Sequence, residues 1–224
     1  MRNPPDVTLP VAEFASGEDL ARAGAEFIAE RARRAVAARG EFTLAVSGGR
    51  GPRRTWEVLA TLDVPWRDVT IFQVDERVAP RGDDERNLTQ LSQSLASRAP
   101  RVVAMPVDDP DLALAARRYG ALLPVHLDLV HLGLGPDGHT ASLVPGDPVL
   151  DVADQPVAAT GEYQGRRRMT LTFAGLERAE EIVWIVSGED TRAALRRLVD
   201  GDATIPAGRV RRERSWVLTD LAGL

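Results

Sequence analysis

A histidine in a tight glycine loop is the residue best placed for chemistry in this sequence. His139 follows Asp137 by two residues, within a loop from Gly133 to His139 that comes directly after an apolar run. A histidine exposed in such a loop can act as a general base toward water, because an imidazole titrates near neutral pH. The loop also opens with the spacing G-x-G-x-x-G, but a proline and an aspartate in its middle are atypical of a dinucleotide site. By contrast, His131 lies inside the apolar run and is predicted to pack in the core, and His126 is predicted at the surface.

A second glycine loop has the composition of an anion site. Ser47-Gly48-Gly49 stands after a predicted strand and before a predicted helix. Glycines allow a ligand to approach the backbone, and exposed N–H groups near a helix N-terminus favour a phosphate. A plain turn is the alternative interpretation of the same three residues.

Arginines at two predicted strand ends are further candidates for holding an anion. In Asp75-Glu76-Arg77 the guanidinium of Arg77 is suited to clamp an oxyanion, with Asp75 orienting it. A solvated sheet edge is the alternative. Arg168 borders another strand and can face the same rim, whereas Arg166 and Arg167 are predicted to lie on a solvated face.

Composition excludes several kinds of chemistry. All 28 side chains counted as lysine or arginine are arginines, which excludes Schiff-base catalysis by lysine. The 224 residues contain no cysteine and only 3 histidines, so we expect no disulfide, no thiolate nucleophile and no histidine-rich metal site. The net charge of −5 argues against nucleic acid as a partner. With no apolar signal segment at the N-terminus and no apolar run of about 18 residues, we expect a cytoplasmic protein that does not bind membranes.

Strands alternate with helices along the whole chain. The apolar patterns predict strands at 42–47, 69–75, 101–105, 127–132, 169–173, 182–187 and 216–219. Capping and spacing predict helices at 16–39 with Ser16 as N-cap and Gly40 as stop, and at 53–62, 87–97, 110–122 and 191–199.

This order of elements predicts an α/β fold. We expect a doubly wound, Rossmann-like and mostly parallel sheet with helices on both faces, forming one domain over 1–224. Ligands bind at the carboxyl ends of the strands in such sheets. The segments 47–49, 75–77, 133–139 and 187–188 are therefore predicted to line one rim.

Several of these segments together resemble the 6-phosphogluconolactonase family, within the superfamily that includes glucosamine-6-phosphate isomerases. The segments that carry the resemblance are LAVSGG (44–49), VDERV (74–78), RNL (86–88), DLVHLGLGPDGHTASLVPG (128–146), RMTLT (168–172), VSGED (186–190) and IPAGRV (205–210). Their order along the chain covers most of its length, and GLGPDGHTASLVPG is the most specific of them.

The resemblance implies a fold of the sugar-phosphate isomerase type and a function. It implies hydrolysis of 6-phospho-D-glucono-1,5-lactone in the oxidative pentose phosphate pathway, without a metal or a cofactor. We expect the protein to be a monomer or a weak dimer. His139 would activate water, and Asp137 would support the loop and its charge state. The residues implied to hold the substrate phosphate, or to lie next to it, are Gly48, Gly49, Arg77, Asn87 and Arg168.

Two positions depart from the pattern of the family. Relatives tend to have S-G-G-S-T-P where this chain has Arg50 and Gly51 after its two glycines, so contacts of this loop with phosphate are expected to differ. Relatives also tend to have a lysine where this chain has Thr191. The positive charge expected there is missing unless Arg50, Arg192 or another arginine supplies it.

Two alternative functions remain open from the sequence. A glucosamine-6-phosphate deaminase has a similar loop, but it continues with a phenylalanine, an asparagine and a glutamate, whereas this chain continues Thr140-Ala141-Ser142-Leu143. A non-catalytic protein that binds sugar phosphates is the other alternative, and the missing lysine at Thr191 fits it. The presence of both Asp137 and His139 favours the lactonase.

Overall fold

The computed structural model describes residues 8–49, 51–98 and 100–223. In chain order the strands and helices are β1 (Val11–Glu13), α1 (Gly17–Arg39), β2 (Phe42–Val46), α2 (Arg53–Leu59), β3 (Val69–Gln73), β4 (Asp75–Arg77), α3 (Asn87–Ser94), β5 (Arg101–Val103), α4 (Leu112–Leu122), β6 (Leu127–Leu132), β7 (Val157–Tyr163), β8 (Arg166–Leu171), α5 (Phe173–Leu176), β9 (Ala179–Val186), α6 (Arg192–Val199) and β10 (Ser215–Thr219). None of the helices in these ranges is both long and apolar enough to cross a membrane.

A parallel sheet forms the centre of the molecule. Within the described residues it has seven strands in the order β1-β10-β9-β6-β2-β3-β5, and every neighbouring pair is parallel. Its central strands are buried on both faces, which explains their nearly continuous apolar sequences. The predicted mostly parallel α/β sheet is therefore confirmed.

Apolar side chains cover both faces of this sheet. One core cluster joins α1, α2 and α3 to residues such as Leu44 and Leu129, while the other joins α4 and α6 to residues such as Ala45 and Val130. Neighbouring residues of one strand thus enter opposite cores, as expected for side chains that alternate across a strand. Helices on both faces were predicted, and the structure agrees.

A small antiparallel sheet, which the sequence did not predict, packs beside the main one. Among the described residues it contains three strands in the order β4-β8-β7. The strand predicted over 69–75 is in fact divided, because the chain leaves the main sheet at Val74. The Val74 N–H donates to Val46 in the main sheet, and its carbonyl accepts from Leu171 of the small sheet. The strand predicted over 169–173 lies earlier, at Arg166–Leu171.

Helix ends follow local capping. Ser16 caps α1 through the N–H of Asp19, and Gly40 ends that helix with a φ of 79°, both as predicted. Helix α4 begins later than predicted, because Asp111 is its N-cap and accepts from the N–H of Leu114. The predicted starts at 53 and 87 hold for α2 and α3, but both helices end about three residues early.

Candidate active site

A cleft of about 420 Å³ opens where strands of the main sheet end. Its described lining includes residues directly after the carboxyl ends of β2, β6 and β9, and residues of β4 and β8. These lining residues include Ser47, Gly48, Asp75, Arg77, Asn87, Gly133, Leu134, His139, Arg168 and Ser187. Each of the four predicted rim segments contributes to this lining, but Gly49, Glu76, residues 135–138 and Gly188 are absent from it as described. Gly49 borders a smaller recess next to the cleft.

His139 and Asp137 form a hydrogen-bonded pair at the cleft. The ring Nδ1 of His139 lies 2.6 Å from Oδ1 of Asp137, and the same oxygen accepts the backbone N–H of His139 at 3.1 Å. Because an ionised carboxylate only accepts, Nδ1 carries the proton and Nε2 keeps its lone pair. The His139 side chain is 20% exposed and lines the cleft, so the imidazole can meet a water molecule there.

Tyr163 supplies a third member of this group, which the sequence analysis missed. Its hydroxyl donates to Oδ2 of Asp137 at 3.2 Å, and its ring meets the ring of His139 with centroids 5.5 Å apart. Partial burial raises the pKa of Asp137, but hydrogen bonds from the His139 amide and ring, and from Tyr163, lower it to below its ordinary value overall. Asp137 therefore remains ionised while it orients the imidazole.

Glycine is required in the loop that carries this pair. A Cβ on Gly135 would lie 2.1 Å from both Cε1 and Nδ1 of His139. Gly138 has a φ of +84°, and a Cβ there would lie 2.6 Å from atoms of Ile205. Any larger residue at position 135 would displace the imidazole, so the loop geometry and the position of His139 depend on each other.

Two arginines face each other beside the pair. Arg77 of β4 lies directly opposite Arg168 of β8 in the antiparallel register. A guanidinium N–H of Arg77 donates to the carbonyl of Glu85 and to Oδ1 of Asn87. Arg168 is buried, and its Cζ is 5.0 Å from the centroid of the Tyr163 ring. The Nε of Arg168 has no hydrogen-bond partner among the described residues. Burial lowers the pKa of Arg168, the Asp75 carboxylate opposes this, and the Arg77 charge lowers it further.

A buried polar network connects the arginines to the loop after β2. The amide nitrogen of Asn87 donates to the carbonyl and Oδ1 of Asp75, and Ser142 donates to Oδ2 of Asp75 at 2.7 Å. Asp75 thus reaches Arg77 through Asn87, rather than orienting it directly as predicted. Gly48 packs against this network, because a Cβ there would lie 2.2 Å from Cγ of Asn87.

The helix dipole predicted to help bind an anion at Ser47-Gly48-Gly49 is weak in the structure. Helix α2 begins only at Arg53, has seven residues and has no side-chain cap. The amides of Gly48 and Gly49 make no hydrogen bond to the residues that the structure describes. Backbone N–H groups, rather than the helix, are what this loop offers to a ligand.

Glu76 organises the first turn of α3 from a fully buried position. Its carboxylate accepts the backbone N–H groups of Arg77, Asn87 and Leu88 at 2.8 to 2.9 Å, and the side-chain amide of Gln73 at 2.9 Å. Arg86 adds a charge 3.6 Å away. This carboxylate therefore fixes Asn87, and through it the network under Arg77.

Of the remaining candidates, the two other histidines and Arg167 lie as predicted, but Arg166 does not lie on a solvated face. His131 is fully buried, and His126 has a side chain 72% exposed, as predicted for each. Arg167 is exposed, which agrees with the predicted solvated face. Arg166 is half-buried in β8 and is paired with Glu85.

Comparisons with known proteins place the chain in a family. Residues 15–219 match the family described as glucosamine-6-phosphate isomerases/6-phosphogluconolactonase. The chain belongs to this family. It is 34% identical over 195 residues to a 6-phosphogluconolactonase of Rhizobium meliloti, across 81% of this chain and 84% of that relative.

Solved structures of the glucosamine-6-phosphate isomerase/6-phosphogluconolactonase family share the fold. The crystal structure of a 6-phosphogluconolactonase from Thermotoga maritima superposes with a TM-score of 0.84 at 26% identity, covering 94% of this chain and 98% of that one. A monomeric glucosamine-6-phosphate deaminase superposes with a TM-score of 0.82 at 19% identity, covering 94% and 97% of the two chains. Because both enzymes share this fold, only the site can separate their reactions.

The structure shows the contacts of Thr191, the position where relatives tend to have a lysine, and of two arginines. Thr191 is buried and donates to the carbonyl of Gly188. Arg192 donates to Glu189 and to the carbonyl of Ala222, and it is absent from the described lining of the cleft. Arg50 lies outside the described residues. Arg54, which the sequence analysis did not single out, lines the cleft and is held by Glu18.

Proposed function

We propose that this protein hydrolyses 6-phospho-D-glucono-1,5-lactone to 6-phospho-D-gluconate, a step of the oxidative pentose phosphate pathway. One observation carries the proposal. In a chain 34% identical to a 6-phosphogluconolactonase, a single cleft is lined by His139, which is hydrogen-bonded to Asp137, and by the facing arginines Arg77 and Arg168. A base and an anion site are the two elements that hydrolysis of a phosphorylated lactone needs.

His139 acts as the general base. Its Nε2 takes a proton from water while the water oxygen attacks the lactone carbonyl, and a tetrahedral oxyanion forms. When this intermediate collapses, the ring oxygen leaves and receives the proton from Nε2, which gives the hydroxy acid. Asp137 holds Nδ1–H throughout and stabilises the imidazolium that exists between the two proton transfers.

Arg77 and Arg168 hold the phosphate of the substrate. Like charges directly opposite each other in an antiparallel pair repel, so an anion between the two guanidinium groups stabilises this arrangement. Both arginines line the cleft, so their guanidinium groups can donate to an anion there. Gly48 and Gly49 supply backbone N–H groups beside Asn87, and binding of the phosphate orients the ring toward His139.

The glycine loop favours the lactonase over the deaminase. The residues after His139 supply hydroxyls rather than an acid, and the structure uses these hydroxyls as internal donors. Thr140 donates to the carbonyl of Gly133, and Ser142 donates to Asp75. No carboxylate follows His139 within Thr140 to Leu143 to assist opening of an amino sugar ring.

The decisive experiment measures lactone hydrolysis against its spontaneous rate. The 6-phosphogluconolactone is generated in place from glucose 6-phosphate, and the wild type is expected to accelerate its opening. His139→Ala is expected to lose about 100-fold or more of kcat while it still binds 6-phosphogluconate. Binding without acceleration by the wild type would indicate a non-catalytic sugar-phosphate-binding protein, and release of ammonia from glucosamine 6-phosphate would indicate the deaminase.

We also propose that the protein acts in the cytoplasm, as a monomer or a weak dimer. A monomer is compatible with this function, because one chain carries both the proposed base and the proposed anion site. Sedimentation at several protein concentrations, with kcat measured over the same range, tests this. Activity that depends on protein concentration would contradict it.

A further inference from the structure

Tyr163 lies at the end of β7, directly behind the proposed site. The chain turns there through Gln164 and Gly165, with φ values of 53° and 76°, and returns as β8, which carries Arg168. Tyr163 is absent from the described lining of the cleft. Its contacts with residues of the proposed site are therefore the route by which it can affect the reaction.

Three groups of the proposed site contact this one side chain. The hydroxyl donates to Oδ2 of Asp137 at 3.2 Å, and the ring lies at 64° to the ring of His139 with centroids 5.5 Å apart. The guanidinium carbon of Arg168 lies 5.0 Å from the centroid of the same ring. Tyr163 thus connects the base, the carboxylate that orients the base, and one arginine of the anion site.

We propose that Tyr163 is a positioning residue, whose hydroxyl fixes the Asp137–His139 pair and whose ring fixes Arg168. The proposal rests on the proposed function, because the roles of His139 and Arg168 come from it. Tyr163 itself touches no reacting atom.

The hydroxyl of Tyr163 restricts rotation of the Asp137 carboxylate. Oδ1 already accepts two hydrogen bonds from His139, and Tyr163 occupies Oδ2. The Asp137 side chain is 38% exposed, so without Tyr163 water would compete for Oδ2 and the carboxylate would turn more freely. Burial and the Asp137 charge raise the pKa of Tyr163, so the phenol keeps the proton that it donates.

The ring of Tyr163 contacts Arg168 of the proposed anion site. A guanidinium placed near an aromatic ring is attracted by its π electrons. Arg168 otherwise has a weak side-chain contact, a hydrogen bond of 3.3 Å to Oε1 of Gln164. The ring of Tyr163 therefore limits the orientations of Arg168 before an anion arrives.

Two substitutions separate the two contributions. Tyr163→Phe removes the hydroxyl and keeps the ring, so kcat is expected to fall about five- to tenfold while KM stays within twofold. Tyr163→Leu also removes the ring, so KM is expected to rise about threefold or more in addition. The matched control is Glu162→Gln, which changes an exposed neighbour on the same strand and is expected to leave both constants unchanged.

A spectroscopic measurement tests the same inference without turnover. In protein labelled with ¹⁵N-histidine, the ring signals of His139, assigned by their loss in His139→Ala, are expected to show a protected Nδ1–H. Tyr163→Phe is expected to speed exchange of this proton with water at least severalfold, while Glu162→Gln does not.

The outcomes distinguish this inference from the proposed function. Wild-type protein that fails to accelerate lactone hydrolysis contradicts the proposed function, and the exchange measurement still tests Tyr163. If the wild type is active, an unchanged kcat and unchanged exchange in Tyr163→Phe overturn the role of the hydroxyl. A KM in Tyr163→Leu equal to that of Tyr163→Phe overturns the role of the ring.

Discussion

The imidazole of His131 packs edge-on against the indole of Trp56, with centroids 5.0 Å apart and ring planes at 89°. Both side chains are buried, and neither ring nitrogen of His131 has a hydrogen-bond partner among the described residues. Burial lowers the pKa of His131 to about 3, so this histidine is neutral in the folded protein. It belongs to the core, eight residues before the proposed base.

This burial predicts a loss of stability in acid. Between pH 6.5 and about 3 the unfolded chain binds a proton at His131 that the folded protein does not bind. The free energy of unfolding therefore decreases as the pH is lowered from 6.5 to about 3. The decrease is up to about 1.4 kcal/mol per pH unit and about 5 kcal/mol in total. His131→Leu is expected to remove this contribution, so its advantage over the wild type in urea unfolding grows from pH 7 to pH 4. Parallel acid profiles of the two proteins would show that His131 is not responsible.

The contact between Gly48 and Asn87 predicts a specific defect. Gly48→Ala places a Cβ where the side chain of Asn87 lies, so the hydrogen bonds from Asn87 to Asp75 and from Arg77 to Asn87 are lost. We expect KM for the lactone to rise about tenfold or more, with a smaller effect on kcat. In an Asn87→Gly background, which vacates this space, the same substitution should add little. Additive effects in this double-mutant cycle would contradict the steric explanation.

Arg77→Ala is expected to weaken phosphate binding. Its guanidinium faces Arg168 in the cleft, so KM for the phosphorylated lactone should rise about tenfold or more, while KM for unphosphorylated gluconolactone stays the same. Arg81→Ala is the matched control, because Arg81 is an exposed arginine paired with Asp108. Equal losses with both lactones would mean that Arg77 does not recognise the phosphate.

Glu76→Gln is expected to lower stability. The glutamine amide would present N–H groups to backbone N–H donors of α3 that now meet a carboxylate. Since the site is fully buried, we expect a loss of about 2–4 kcal/mol in the free energy of unfolding, measured by denaturant titration. Glu57→Gln, a half-buried surface position on α2 paired with Arg53 and Arg54, should cost less than about 1 kcal/mol. A similar result for both would remove Glu76 as the anchor of α3.

Strands buried on both faces were the most predictable part of the fold. The runs of β2 and β6 are mostly apolar, interrupted only by Thr43 in β2 and by Asp128 and His131 in β6, and this pattern is typical of strands covered on both faces. The hairpin of β7 and β8 was less predictable, because Glu162 and Arg167 interrupt its apolar pattern where one face meets solvent. The change from one sheet to the other at Val74 was not predictable either, because Val74 is as apolar as the strand that precedes it.

The candidate site was predictable where its residues directly follow the end of a buried strand. His139, Asp137 and Gly48 stand in glycine loops after apolar runs, and the sheet topology brings these loops together. Tyr163 was not predictable, because it lies in a polar hairpin 26 residues from Asp137 and no local pattern connects the two. The indirect link from Asp75 to Arg77 depends on side-chain packing of Asn87, which spacing does not encode.

The proposed base and the proposed anion site lie on different sheets, which bears on the length of the lactone that the site would accept. His139 is carried by a loop of the parallel sheet, whereas Arg77 and Arg168 belong to the antiparallel sheet, and Val74 bonds to both sheets. Under the proposed function, the offset between the two sheets would set the distance between His139 and an anion held by Arg77 and Arg168. Sugar lactones whose carbonyl and phosphate are one carbon closer together or farther apart are then expected to react more slowly than 6-phosphogluconolactone.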